Sequence, residues 1–283
     1  MFFEGDGAEV AQAQPILIAQ TAGEQTDALR QYAEDSSAIT WFVRDFCRMK
    51  EDEADPYFTS PGLSGQDYDD QWAVKRVGFT GGILNALSAD EAGDDIIVAV
   101  IDTGIDWYHP DLDTGTLRVN TGEIPRNGTD DDGNGYVDDR IGWNFVEQTN
   151  SPWDYDGHGT FVAGVIAEAH GNGFGMTGIK PKARIVILKA LGSFGQGCSS
   201  IASEAVAYAA DNGARIFNLS LGGRGLSRLE ELAIQHATHK GVLVVVAAGN
   251  SATDVAAYGP SGLPGVITVE QGGQRGLSHQ RTP

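Results

Sequence analysis

From residue 96 onward the chain alternates two kinds of apolar pattern. Continuous runs rich in β-branched residues fall at 96–101, 185–188, 215–219, 242–247 and 266–269. Runs of this length without polar alternation predict strands covered on both faces, as in a parallel sheet. Between them, 160–169, 199–212 and 226–240 predict helices. The rhythm is strand, helix, strand. It predicts an α/β fold: a three-layer parallel β-sheet flanked by helices and joined by right-handed crossovers. Ligands of such sheets gather at the carboxyl ends of the strands.

Upstream the pattern changes. Leu29, Tyr32, Ala33, Ile39, Phe42, Val43 and Phe46 recur at three and four, predicting one or two amphipathic helices between 24 and 49. These would belong to a pro-segment remnant or to a packing helix. Residues 51–71 are acidic and turn-rich, and read as a linker. The expected organisation is an N-terminal extension over 1–54, a main domain over 55–269 and a divergent polar tail over 270–283.

Composition narrows the partners. With 39 acidic and 19 basic residues the formal charge is −20, which repels phosphate backbones and sets nucleic acid aside as a partner. Two cysteines, Cys47 and Cys198, make no disulfide framework. The apolar runs are too short to predict a membrane span. The acidic start at Met1-Phe2-Phe3-Glu4 lacks the basic opening of a secretory signal.

Three motifs carry candidate chemistry. In Val98-Ala99-Val100-Ile101-Asp102-Thr103-Gly104, an acid follows an apolar strand and so emerges at the carboxyl edge. Alone this is weak, since aspartic proteases use the same tripeptide and strand-end aspartates cap helices. In Asp156-Gly157-His158-Gly159-Thr160-Phe161-Val162-Ala163-Gly164, a histidine opens a helix of small residues between glycines that admit other backbone closely. In Val244-Val245-Val246-Ala247-Ala248-Gly249-Asn250, a buried strand ends in small residues and an amide side chain able to donate to a developing oxyanion.

A fourth feature is the acidic loop 127–139. Asp130, Asp132 and Asn134 alternate before Gly135, as in the first half of an EF-hand loop, but Ile141 stands where the bidentate glutamate would fall. Asp138 or Asp139 would close the shell instead. Such oxygen ligands suit a hard cation of Ca²⁺ size, in a structural role.

In this order the three catalytic motifs resemble the subtilisin-like serine proteases, the subtilase family, from about Asp55 to Val269. The resemblance implies an endopeptidase acting on extended polypeptide. Asp102 would orient the imidazole, His158 would serve as general base and then acid, and Asn250 would donate to the oxyanion. It implies that Ser220, Leu221 and Gly222 form one edge for substrate and Phe194, Gly195 and Gln196 the facing edge, so that a peptide adds as a strand between them. Ala248 and Gly249 would wall the pocket for the residue before the scissile bond, with room for broad acceptance of apolar side chains. A second calcium site, of Asp55, Asp111 and Asn172, is implied by the resemblance alone, as is export to the extracellular space.

The family's nucleophile lies in a Gly-Thr-Ser-Met-Ala type motif, and none follows Asn250 here. Ser278 is succeeded by polar residues and a proline rather than an apolar helix. The expectation is therefore a chain truncated or frame-shifted after Val269, with an incomplete fold and no activity alone. The alternative is a catalytically dead calcium- or peptide-binding module derived from such a protease.

Overall fold

The computed structural model describes residues 55–62, 65, 69–79, 83, 96–112, 115–180, 183–251 and 254–270. The helices expected over 24–49, Cys47 and Ser278 lie outside the described residues.

The strands form where the β-branched runs predict them: β1 (Ile97–Asp102), β3 (Arg184–Lys189), β4 (Ile216–Leu219), β6 (Leu243–Ala247) and β8 (Val266–Val269). A short β2 (Gly142–Asn144), not foreseen, joins the edge. Together they make a six-stranded sheet in the order β2-β3-β1-β4-β6-β8, every pairing parallel. A separate antiparallel ribbon pairs β5 (Gly223–Arg224) with β7 (Tyr258–Gly259).

Alternate residues of each strand serve opposite layers. Ala99, Ile101, Val186, Leu188, Phe217, Leu219, Val244 and Val246 pack on one side against Val206 and Ala209 of α4 (Ser199–Asp211) and Ile234 and Ala237 of α5 (Arg228–His239). Val100, Ile185 and Ile187 pack on the other against Ala163 and Ala167 of α3 (His158–Ala167). The fold is thus the expected α/β three-layer arrangement. One expectation needs correction. Among the described residues nothing covers β6 and β8 on the α3 side: Leu243, Ile267 and Val269 stay about half exposed there, because α3 packs on the β1–β3 half of the sheet.

The linker reading of 51–71 also changes. Within it lies a helical turn, α1 (Pro56–Thr59), and α2 (Trp72–Arg76) follows. Asp55, just before α1, is fully buried and accepts the amides of Gly171 and Asn172. Phe58 packs with Val74 and Ile179. Among the described residues no helix is long and apolar enough to cross a membrane.

Candidate active site

All main-sheet strands run the same way, so their carboxyl ends share one edge. There β1 delivers Asp102 beside Lys189 of β3 in register. Asp102 is wholly buried. His158 is the first residue of α3, and its Nδ1 lies 2.7 Å from Asp102 Oδ1. An ionised carboxylate can only accept, so Nδ1 carries the proton and Nε2 presents its lone pair. The imidazole is partly exposed, its side chain 46% accessible against 0% for the acid. The acid is hidden and the imidazole faces the cleft.

Backbone contact explains how two residues so distant in sequence meet. A Cβ on Gly159 would lie 2.3 Å from the carbonyl oxygen of Gly104, so only glycine lets the start of α3 rest on the loop after β1. The Gly159 amide donates to Thr103 Oγ1, whose own hydroxyl donates to Asp154.

Asp154 is the organiser that sequence reasoning missed. Gly157, the residue before α3, has φ 102° and no capping side chain. Asp154 supplies the cap from outside the helix. Its Oδ1 accepts the amides of Asp156 and Gly157 and the Thr103 hydroxyl, and its Oδ2 accepts the amide and hydroxyl of Thr160. Burial alone would raise this carboxyl, but those bonds overrule it and hold the acid at about 2. The available signal was an acid four residues before the histidine, at a helix start. Asp102 behaves in the opposite way. Burial raises it above the usual carboxylate value, against the bonds from His158 and the Thr103 amide, and its Oδ2 is buried without a partner among the described residues.

Lys189 was also missed. It is 1% exposed, donates through Nζ to the Thr103 carbonyl and lies over the Tyr155 ring at 5.9 Å. Burial lowers its ammonium, while Asp154, Glu147, Asp156 and Asp102 pull the other way. A cation under this cluster offsets the cost of burying Asp102 and Asp154.

His158 opens onto a cleft of about 820 Å³. Its walls include Gly195 and Gln196 on one side, Ser220, Leu221 and Gly222 on the other, and Gly249 and Asn250 at the end of β6. His158 and Asn250 thus share one cleft with most of the expected substrate edges, while Asp102 is buried and reaches it only through the His158 ring. Phe194 stands 87% exposed outside these walls, and Ala248 lies behind them with its amide bonded to the Val269 carbonyl. Among the described residues no serine hydroxyl is hydrogen-bonded to the His158 ring.

Two acidic clusters lie apart from the cleft. In the first, Asp55, Asp111 and Asn172 meet: Asn172 Nδ2 donates to Asp111 Oδ1 at 2.8 Å, and its amide donates to Asp55. Glu168, unforeseen, joins them with Oε2 buried and unpartnered among the described residues. Its carboxyl is pushed up to about 7 by burial and then by Asp111 and Asp55. In the second, Asp130 and Asp132 come together with Glu123, their oxygens within 4.8 Å of one another. Glu123 was missed because it precedes the loop instead of closing it. Asn134 accompanies them, its Nδ2 donating to Asp139 at 2.9 Å and to Asp132 at 3.3 Å. Asp138 turns away: its carboxylate accepts the amides of Asn127 and Gly128. Asp139 is buried and takes bonds from Asn120, Asn134 and the Tyr208 hydroxyl.

The profile of the subtilase family matches residues 93–274. The chain is 36% identical over 172 residues to the thermophilic serine proteinase of Bacillus sp. (strain AK1), covering 61% of this chain and 37% of that protein. It is 37% identical over 211 residues to the cell wall-associated protease of Bacillus subtilis (strain 168), covering 71% and 21% respectively. It is 35% identical over 162 residues to thermitase of Thermoactinomyces vulgaris, covering 57% and 50%. The matched region is thus at most half the length of each of these relatives.

Proposed function

The chain belongs to the subtilase family, and from that premise we propose that it works in a serine endopeptidase of the subtilisin type, cleaving extended polypeptide. The observation that carries the reading is the 2.7 Å bond from His158 Nδ1 to a fully buried Asp102, with the imidazole open to the cleft. Held in this tautomer, Nε2 accepts the proton of a serine hydroxyl as that oxygen attacks the scissile carbonyl, and returns it to the leaving amine. Asp102 stays ionised and stabilises the imidazolium. The Asn250 amide, on the same cleft, donates to the oxyanion, a contribution of about 2.7–4 kcal/mol for the corresponding donor of subtilisin itself. Substrate lies as a strand between Gly195-Gln196 and Ser220-Leu221-Gly222.

Structural calcium belongs to the same proposal. Glu123, Asp130 and Asp132 supply hard oxygen ligands at one point of the 127–139 loop, with Asn134 and Asp139 adjoining. Asp55, Asp111 and Asn172 would hold a second ion, with a buried Glu168 oxygen that has no hydrogen-bond partner among the described residues beside them and His170 Nδ1 3.5 Å from Asp55 Oδ2. The ions would supply cross-links between loops, not chemistry at the scissile bond.

The test is hydrolysis of peptide anilides by the protein isolated from its native source, with and without a serine-directed fluorophosphonate. Cleavage that the reagent abolishes, and that His158→Ala removes, supports the proposal. Peptide binding without hydrolysis would favour a binding module, and hydrolysis indifferent to His158→Ala would refute the assignment.

A further inference from the structure

Gly222 and Gly249 both line the cleft, just beyond the paired strands β4 and β6, and by their lack of side chains they would leave a slot beside them. That slot is filled. A Cβ built on Gly222 would meet Tyr258 Cε1 at 2.7 Å, and one built on Gly249 would meet the same atom at 2.6 Å. Packed carbon atoms do not approach so closely, so the ring occupies the space that a side chain at either position would need. The Tyr258 hydroxyl donates to the Gly222 carbonyl at 3.3 Å, tying the ring to the wall it touches.

The backbone beneath the ring is held as well. Tyr258 pairs with Arg224 in the β5–β7 ribbon, and the Gly225 amide donates to the Ala257 carbonyl. The Tyr258 carbonyl accepts the Gly262 amide at 2.7 Å and the Ser261 hydroxyl at 3.0 Å. A bulky guest could enter only by swinging the ring off both glycines and breaking its hydroxyl bond.

The slot opens immediately before Asn250, between the segment 220–222 and the end of β6. On the peptidase reading, on which this inference rests, the residue preceding the scissile bond sends its side chain there. We propose that Tyr258 closes this pocket and restricts the protein to substrates with a small residue (glycine, alanine or serine) at that position. The small wall residues taken alone suggest broad apolar acceptance. With the aromatic ring between them, that room is already occupied from within the chain.

The experiment measures binding of succinyl-Ala-Ala-Pro-Ala and succinyl-Ala-Ala-Pro-Phe, as free acids, to the 283-residue chain and to Tyr258→Ala and Tyr258→Phe, by calorimetry. The parent chain is expected to bind the alanine-ended peptide at least about tenfold more tightly than the phenylalanine-ended one. Tyr258→Ala is expected to reverse that order, tightening the phenylalanine-ended peptide at least about tenfold. Tyr258→Phe, which keeps the ring, should preserve the parent's order. Equal binding of the two peptides by the parent, or an unchanged ratio in Tyr258→Ala, overturns the inference while leaving the peptidase reading intact. Binding of neither peptide to folded parent chain overturns both. Should Tyr258→Ala fail to fold, the parent's ratio decides by itself.

Discussion

Replacing Asp154 by asparagine tests how the histidine is held. The carboxylate accepts five hydrogen bonds, three on Oδ1 and two on Oδ2. Asparagine can keep the Oδ1 set with its carbonyl oxygen. Its amide nitrogen then faces the amide and hydroxyl of Thr160, and both bonds to Oδ2 are lost. Bonds to a charged acceptor are worth about 1.5–3 kcal/mol each, and the Thr160 hydroxyl can rotate to recover part, so the loss should be about 3 kcal/mol. Urea unfolding followed by tryptophan fluorescence should show a lower midpoint at unchanged slope. The pH profile carries the sign. A carboxyl held at about 2 in the folded chain and at about 4 in the unfolded one stabilises fully above pH 4 and loses that contribution as pH falls toward 2. Asp154→Asn should flatten this part of the acid limb. A loss under about 1 kcal/mol, or an acid limb unchanged in the variant, would refute the reasoning.

Three other outcomes follow from the same geometry. Gly159→Ala puts a carbon 2.3 Å from the Gly104 carbonyl oxygen and should destabilise by about 1–3 kcal/mol, while the low-field Nδ1–H resonance of His158 weakens or shifts in proton NMR. Lys189→Met removes the buried cation that donates to the Thr103 carbonyl and should cost about 1–3 kcal/mol in urea unfolding, more than a surface lysine change elsewhere. Calcium titration by calorimetry should show heat in the parent chain and lose one of two binding steps in Asp130→Ala and in Asp132→Ala, with the step at Asp55 and Asp111 retained. No heat in the parent would remove both ions from the account.

Strand positions were legible because apolar and β-branched residues dominate a parallel strand, and five such runs became five strands within a residue or two at each end. β2 escaped because three residues, one of them Gly142, make no run. Its glycine has φ 131° and stands where a Cβ would fall 1.8 Å from the Ile187 carbonyl. Helix α3 starts at His158, as its motif indicates and two residues before the apolar pattern begins, since its cap comes from Asp154 and not from the residue preceding the helix. Asp102, His158 and Asn250 were readable from motif order. Lys189, Glu123 and Glu168 were not: an ionisable residue inside an apolar or acidic stretch gives no sign in sequence of which partner it will face. Tyr258 was invisible for a related reason. Its ring meets Gly222 and Gly249 only after the chain has passed through the β5–β7 ribbon.

The central claim is that Asp102 and His158 act as one device on a nucleophilic serine. The most direct measurement is kcat for a peptide anilide in the native protein beside its Asp102→Asn variant. A drop of roughly 3 × 10⁴-fold is expected, the loss subtilisin suffers without its aspartate, while KM changes little. A variant within about tenfold of the parent would contradict it, because a buried acid bonded to the imidazole at 2.7 Å would then have no part in the reaction.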